Sequence, residues 1–172
     1  MTKPTTSFKG IIDRFDSNLW HYYVKVPIKI AQKFIEGKDK RVVCTLNRTE
    51  TFHAALMHLG DGGYFIMVNK QLRSKLKVKD GDEILVALVK DESEYGLPLP
   101  DEFKELLQQD IDGNAIFQSL TAGKQRTLLY IIGKPKSPDL RIRNGIVILE
   151  HLKRNMGKID YKQLNLDMKN TF

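Results

Sequence analysis

Six residues have the type and spacing to hold a ligand: Arg73, Arg126, Lys134, Lys136, Arg141 and Arg143. The last four bracket Ser137-Pro138-Asp139, a helix start with an N-cap residue, a first-position proline and a first-turn acid. Backbone N–H groups at a helix start attract anions, and an arginine fork meets phosphate or carboxylate with two parallel bonds. The expected chemistry is anion binding at Lys134, Lys136, Arg141 and Arg143, with Arg126 in support. Arg73 belongs to a second basic run, Lys70, Arg73, Lys75, Lys77 and Lys79, uninterrupted by acids. Either cluster suits nucleic acid or an acidic protein partner. The competing reading of both is a solvated face, paired in part with acids elsewhere.

Catalytic constellations are missing from the pattern. His53 and His58 share a predicted strand at an odd spacing, which puts them on opposite faces and argues against a joint metal site. His151, among Glu150, Lys153 and Arg154, reads as solvated. Cys44, inside Val42-Val43-Cys44-Thr45-Leu46, reads as a small buried hydrophobe. Gly123-Lys124 lacks the glycine and the hydroxyl residue of a phosphate loop. No serine sits in a nucleophile elbow. The sequence predicts a non-enzyme without cofactor or metal. Tyr23 and Phe65 fall on the strand face that carries Lys25, where a base-stacking surface is conceivable; Trp20, Tyr22 and Tyr64 fall on the apolar face and read as core.

These residues sit in a chain of 172 with 41% apolar and 28% charged residues, a net charge of +7 and a pI near 9.4. That composition fits one or two globular domains. No apolar run approaches the ~20 residues of a membrane helix. The first ten residues hold no apolar stretch, and there is a single cysteine, so a cytoplasmic monomer is expected.

Charge is unevenly spread: +5 over residues 1–92, −5 over 93–112 and +7 over 113–172. The acidic stretch overlaps Asp91–Pro100, whose two prolines and glycine read as a protease-sensitive linker between domains 1–92 and 93–172. Upstream the apolar period is two, with strands near 7–15, 20–26, 40–47, 50–58, 63–68 and 82–90. A turn is expected at Asp16-Ser17-Asn18. Downstream the pattern is helical, with starts at Pro100, Asp112, Thr121 and Ser137. The last of these opens a helix with Ile142, Ile146, Leu149 and Met156 expected on its inner side.

Sliding the chain by 42 positions lays Tyr22–Phe34 on Tyr64–Leu76 without a gap. Apolar classes match at Val24/Ile66, Val26/Val68, Ile30/Leu72 and Phe34/Leu76, and onward at Val42/Ile84, Cys44/Val86 and Leu46/Leu88. Pro27 falls on Asn69, both helix-start residues. The reading is strand, short helix, strand, twice over, paired into one small barrel.

The second copy, with Leu72-Arg73 and Gly81-Asp82, resembles the AbrB-type swapped-hairpin motif. More widely, FKGII, LWHYYVKVP, KRVVCTLN, TFHAAL and GDEILVALVKDE resemble the N-terminal domain of unknown function in YdeI/OmpD-associated proteins. The segment from LPLPDEFKELL to RIRNGIVILEHL resembles that family's C-terminal helices. Leu140 and Gly133 depart from the family's usual Thr and Ala. The resemblance implies an α+β chain, a double-split, internally duplicated AbrB-like barrel followed by a helical domain. It also implies a non-catalytic binding role in bacteriocin or antimicrobial-peptide stress. The AbrB likeness adds a nucleic-acid-binding regulator as the alternative.

Overall fold

The computed structural model describes residues 4–16 and 22–171. The expected turn at 16–18 and Trp20 lie largely or wholly outside them. The chain divides into two compact units, Met1–Glu92 and Ser93–Phe172. The first contains β1 (Thr6–Arg14), β2 (Tyr22–Val26), α1 (Ile28–Ala31), β3 (Arg41–Leu46) and β4 (Glu50–Ala55). It continues with β5 (Met57–His58), β6 (Tyr64–Met67), α2 (Lys70–Leu76) and β7 (Glu83–Lys90). The second contains α3 (Asp101–Gln109), α4 (Ile111–Ser119), α5 (Ala122–Gly133), α6 (Pro138–Arg154) and α7 (Tyr161–Asn170).

The strands make one curled antiparallel sheet in the order β4-β3-β7-β1-β2-β6-β5. Its two ends are consecutive in the chain, separated only by Leu56. The Leu56 N–H continues the β3 ladder by donating to the Lys40 carbonyl at 2.9 Å. Two long segments turn the corners of the curl. β1 lies along β7 through Thr6–Ile11 and along β2 through Ile12–Arg14. Segment 50–58 lies along β3 and then β6. At the first corner a Cβ on Gly10 would come within 2.4 Å of Val24 Cγ2, so only glycine lets the backbones approach this closely.

A side-chain period of two decides the interior. Val24, Val26, Val42, Cys44, Leu46, Ile66, Val68, Ile84, Val86 and Leu88 are all buried. All are even-numbered, and the odd positions between them turn outward. β2 and β6 run antiparallel, so the helices that follow them lie at opposite ends. Ala31 and Phe34 pack on the core from one helix, Leu72 and Leu76 from the other. Asn69 caps α2, its Oδ1 accepting the Leu72 N–H at 2.9 Å.

The pairings of β2 with β6 and of β3 with β7 each include a pair of residues 42 apart, Val24 opposite Ile66 and Thr45 opposite Ala87. The ladders of β1 and of segment 50–58 correspond at an offset of 44. That offset matches Phe8 with Phe52, Gly10 with Ala54 and Ile12 with Leu56. This correspondence is absent from the 42-position alignment because two extra residues displace it.

In the second unit α6 is central, with α3, α4, α5 and α7 packed on it. Phe103, Phe117, Leu128, Ile132, Ile148 and Leu152 form the core. Phe103 and Phe117 meet edge to face at 5.2 Å, a geometry aromatic pairs favour. Three expectations are corrected here. The cap of α4 is Asp110, not Asp112: its Oδ1 accepts the Gly113 N–H at 2.8 Å. The inner face of α6 is Gly145, Ile148, Leu149 and Leu152, whereas Ile142, Ile146 and Met156 are exposed. Gly145 explains this choice, because a Cβ there would meet Leu106 Cδ1 at 2.6 Å; α3 crosses α6 on the glycine side. The stretch 91–100 is not a bare connection. Tyr95 is buried in the helical core against Phe117, and its hydroxyl accepts from Gln118 at 2.9 Å.

Two outcomes follow from this packing. Gly10→Ala overpacks the corner and lowers denaturant stability by ~1–3 kcal/mol, while Gly81→Ala, with open space around it but a φ of +87°, loses stability through backbone strain instead. The Cys44 thiol, pushed up to about 12 by burial, is labelled by a thiol reagent only at the rate of unfolding.

Candidate functional site

The helical unit carries a cleft of about 460 Å³. One wall is Leu97-Pro98-Leu99-Pro100 and the first turn of α3, the other the end of α5 with Lys134 and Arg141. The prolines restrict the first wall, since proline fixes φ near −65° and offers no N–H. Pro100 leads into α3 with an extended backbone, φ −58° and ψ 135°, and Asp101 and Glu102 stand in the first turn at the positive end of the helix. α5 starts at Thr121, whose Oγ1 accepts the Lys124 N–H at 3.5 Å. Its Leu128, Leu129 and Ile132 turn to the core, which leaves Tyr130 on the cleft side, 60% exposed.

Arg141 joins the two walls. Its Nε and Nη2 donate to the two Glu102 carboxylate oxygens at 3.1 and 2.7 Å. Its Nη1 donates to the carbonyls of Pro135 and Lys136 at 3.0 and 2.9 Å. The guanidinium thus fastens the start of α3 to the turn between α5 and α6. The bond from Arg141 holds the Glu102 carboxyl below the usual carboxylate range. Asp110 is likewise lowered, first by its bond with Lys153.

The expected anion cluster is dispersed by this arrangement. Lys134 and Arg141 share the cleft. Lys136 stands in the adjacent turn, and Arg126 lies one helical turn before Tyr130. Arg143 turns away and donates Nη2 to the Met168 carbonyl in the last turn of α7. Arg73 lies in the first unit, its guanidinium 3.6 Å above the Tyr22 ring and its Nε donating to the Val68 carbonyl at 3.4 Å. Both helix-start arginines are occupied with backbone carbonyls, which a sequence pattern does not show.

Other candidates find structural partners. His53 Nδ1 meets the buried Asp91 carboxylate at 2.7 Å. Phe65, on the outer face of its strand, is covered by Phe15 and Tyr23 at 5.1 and 5.5 Å between ring centroids. A stacking platform would need that ring open. His151 is corrected from solvated to buried. Among the described residues no group of three or more His, Cys, Asp or Glu is placed to hold a metal ion. No helix among them is long and apolar enough to cross a membrane. The sequence reading overlooked Tyr130 and the Leu97–Leu99 backbone. The paired Leu-Pro steps were the available signal, and they read equally well as a linker.

Residues 8–88 match a domain of unknown function, DUF1905. Residues 97–155 match the family described as bacteriocin-protection, YdeI or OmpD-associated. The chain is a YdeI/OmpD-associated family protein with an N-terminal domain of unknown function. No curated protein matches it significantly.

The lowered carboxyls set a pH dependence. Unfolded carboxyls titrate near ~4, so the stabilisation from Glu102 and Asp110 is complete above that and is lost as pH falls through their lower folded values. The thermal midpoint should drop below about pH 4, and Glu102→Gln should show a smaller drop from a lower neutral-pH starting point. An equal drop in both proteins contradicts the assignment.

Proposed function

We propose that the protein is a non-catalytic binding module of the bacteriocin-protection type, and that the helical cleft receives a basic peptide in extended conformation. The observation that carries this reading is the backbone of Leu97–Leu99. It lines the cleft, and the Leu97 and Leu99 N–H groups and the three carbonyls have no partner among the described residues. An extended peptide can bond to such groups along its main chain, gaining affinity with little demand on its sequence. Tyr130 offers a ring for one side chain. Charge supports a basic occupant: the stretch 93–112 is −5, and Glu94, Asp101 and Glu105 are exposed. Glu102 and Arg141 bond to each other, which suits a fixed wall rather than a proton-transfer pair.

In the same reading the first unit is an internally duplicated, double-split barrel of the AbrB-like kind, and the protein acts as a cytoplasmic monomer. The duplication is supported by ladders in which residues 42 apart face each other, Val24 and Ile66 in one, Thr45 and Ala87 in the other. It is supported again by Phe8/Phe52, Gly10/Ala54 and Ile12/Leu56 at the corners. A nucleic-acid-binding role is the second reading. One observation favours it: Lys70, Lys77 and Lys79 on and after α2 form no ion pair among the described residues.

The two readings separate in one titration of the full chain, with a Lys/Arg-rich linear peptide and with duplex DNA, each at two salt concentrations. Peptide binding weakened about tenfold by Tyr130→Ala, as for one aromatic anchor, supports the cleft. DNA binding that falls steeply with salt, without peptide binding, moves the function to the barrel's lysines.

A further inference from the structure

We propose that His151 is an acid-sensitive latch that holds the start of α7 against α6. The ring is 1% exposed and touches α7 at two places. Its Nε2 accepts the backbone N–H of Asp160, the cap residue of α7, at 3.2 Å. Its Nδ1 lies 3.3 Å from the Asp167 carboxylate in the body of α7. Because Nε2 is an acceptor, the ring proton resides on Nδ1 and points to Asp167. Both ring nitrogens are thus used.

The far end of the helix is held separately, by Arg143 on the Met168 carbonyl and by Met168 against the core. Leu164 is its one buried residue among those described, and it sits in the first turn, four residues after the latched cap. The Asp160 side chain is committed to the helix itself, accepting the Gln163 N–H at 3.0 Å. The Asp160 N–H therefore depends on His151 for its partner.

Histidine is the side chain whose charge ordinarily changes between pH 5 and 8. A second ring proton must go on Nε2, where it faces the Asp160 N–H, donor against donor. The docked first turn then loses its acceptor, while Nδ1–H to Asp167 persists. The charged groups around the ring come from each neighbouring element. Asp167 on α7 favours the cation. Arg154, 3.6 Å from that same carboxylate, competes for it. Lys153 on α6 opposes the cation but is engaged by Asp110 and Glu150 at 2.8 and 2.6 Å. Asp160 meets the ring from the turn through its backbone N–H. The α5 side chains buried in this core are Gln125, Leu128, Leu129 and Ile132, none of them charged. A proton on Nε2 costs the Asp160 N–H its acceptor, so acid favours release of the first turn. Release lifts Leu164 and opens the apolar seat beneath it.

The test is amide hydrogen exchange of residues 160–166 in the full chain, expressed as protection factors at pH 7 and pH 5. Nitrogen shifts of the His151 ring are recorded alongside. At pH 7 the ring should be the neutral Nδ1–H form. Protection of 160–166 should fall about tenfold by pH 5, the size of one lost buried hydrogen bond, while α5 stays protected. His151→Gln, which offers a donor and an acceptor but no titration, should show the same protection at both pH values. An Nε2–H ring at pH 7, unchanged wild-type protection at pH 5, or an equal fall in His151→Gln overturns the latch. The ring spectrum is read on the wild type, so it decides even where the variant does not fold.

Discussion

The helical unit depends on one guanidinium. Arg141 closes a bidentate pair with Glu102 and also bonds two consecutive turn carbonyls. A planar fork can do this and an ammonium cannot, because only the fork presents donors in fixed, diverging directions. The consequence is geometric. The Leu97–Pro100 segment, which has no ladder or helix of its own, is kept beside α5 because the helix that follows it is pinned. A cleft with an open backbone edge on one side and Tyr130 on the other results.

The first unit rests on a different constraint, the parity of strands. Offsets of 42 and 44 are both even, so residues that correspond across the unit face the same way. An odd insertion in either half would have turned one set of valines and leucines to solvent. The two-residue difference between the offsets therefore leaves the same faces inside. The first corner tolerates only glycine at position 10, because a Cβ there would run into Val24.

Much of this was readable beforehand. Alternation exposed the strands, and Asn69 and Pro27 marked the short helices, because those signals are local. The 44-residue correspondence was not visible, since Phe-Lys-Gly-Ile-Ile and Phe-His-Ala-Ala-Leu share little beyond alternating size. The α6 face was misjudged for a comparable reason. Isoleucines outrank a glycine in any hydrophobic pattern, yet the glycine decides where a neighbouring helix can cross. Charged residues misled most. Arg141 and Arg143 looked like ligand donors at a helix start, but their partners are carbonyls and a carboxylate distant in sequence. His151 looked solvated because its sequence neighbours are charged, while the helix turns them outward and the ring inward.

The second unit matches a family described as bacteriocin-protection, YdeI or OmpD-associated, and the proposed reading places a peptide in its cleft. The most direct measurement is amide exchange at Leu97 and Leu99 in the full chain, with and without a saturating Lys/Arg-rich linear peptide. The account predicts that both amides, unbonded in the free protein, become protected when the peptide binds. Binding that leaves these two amides exchanging at their free rate would contradict it.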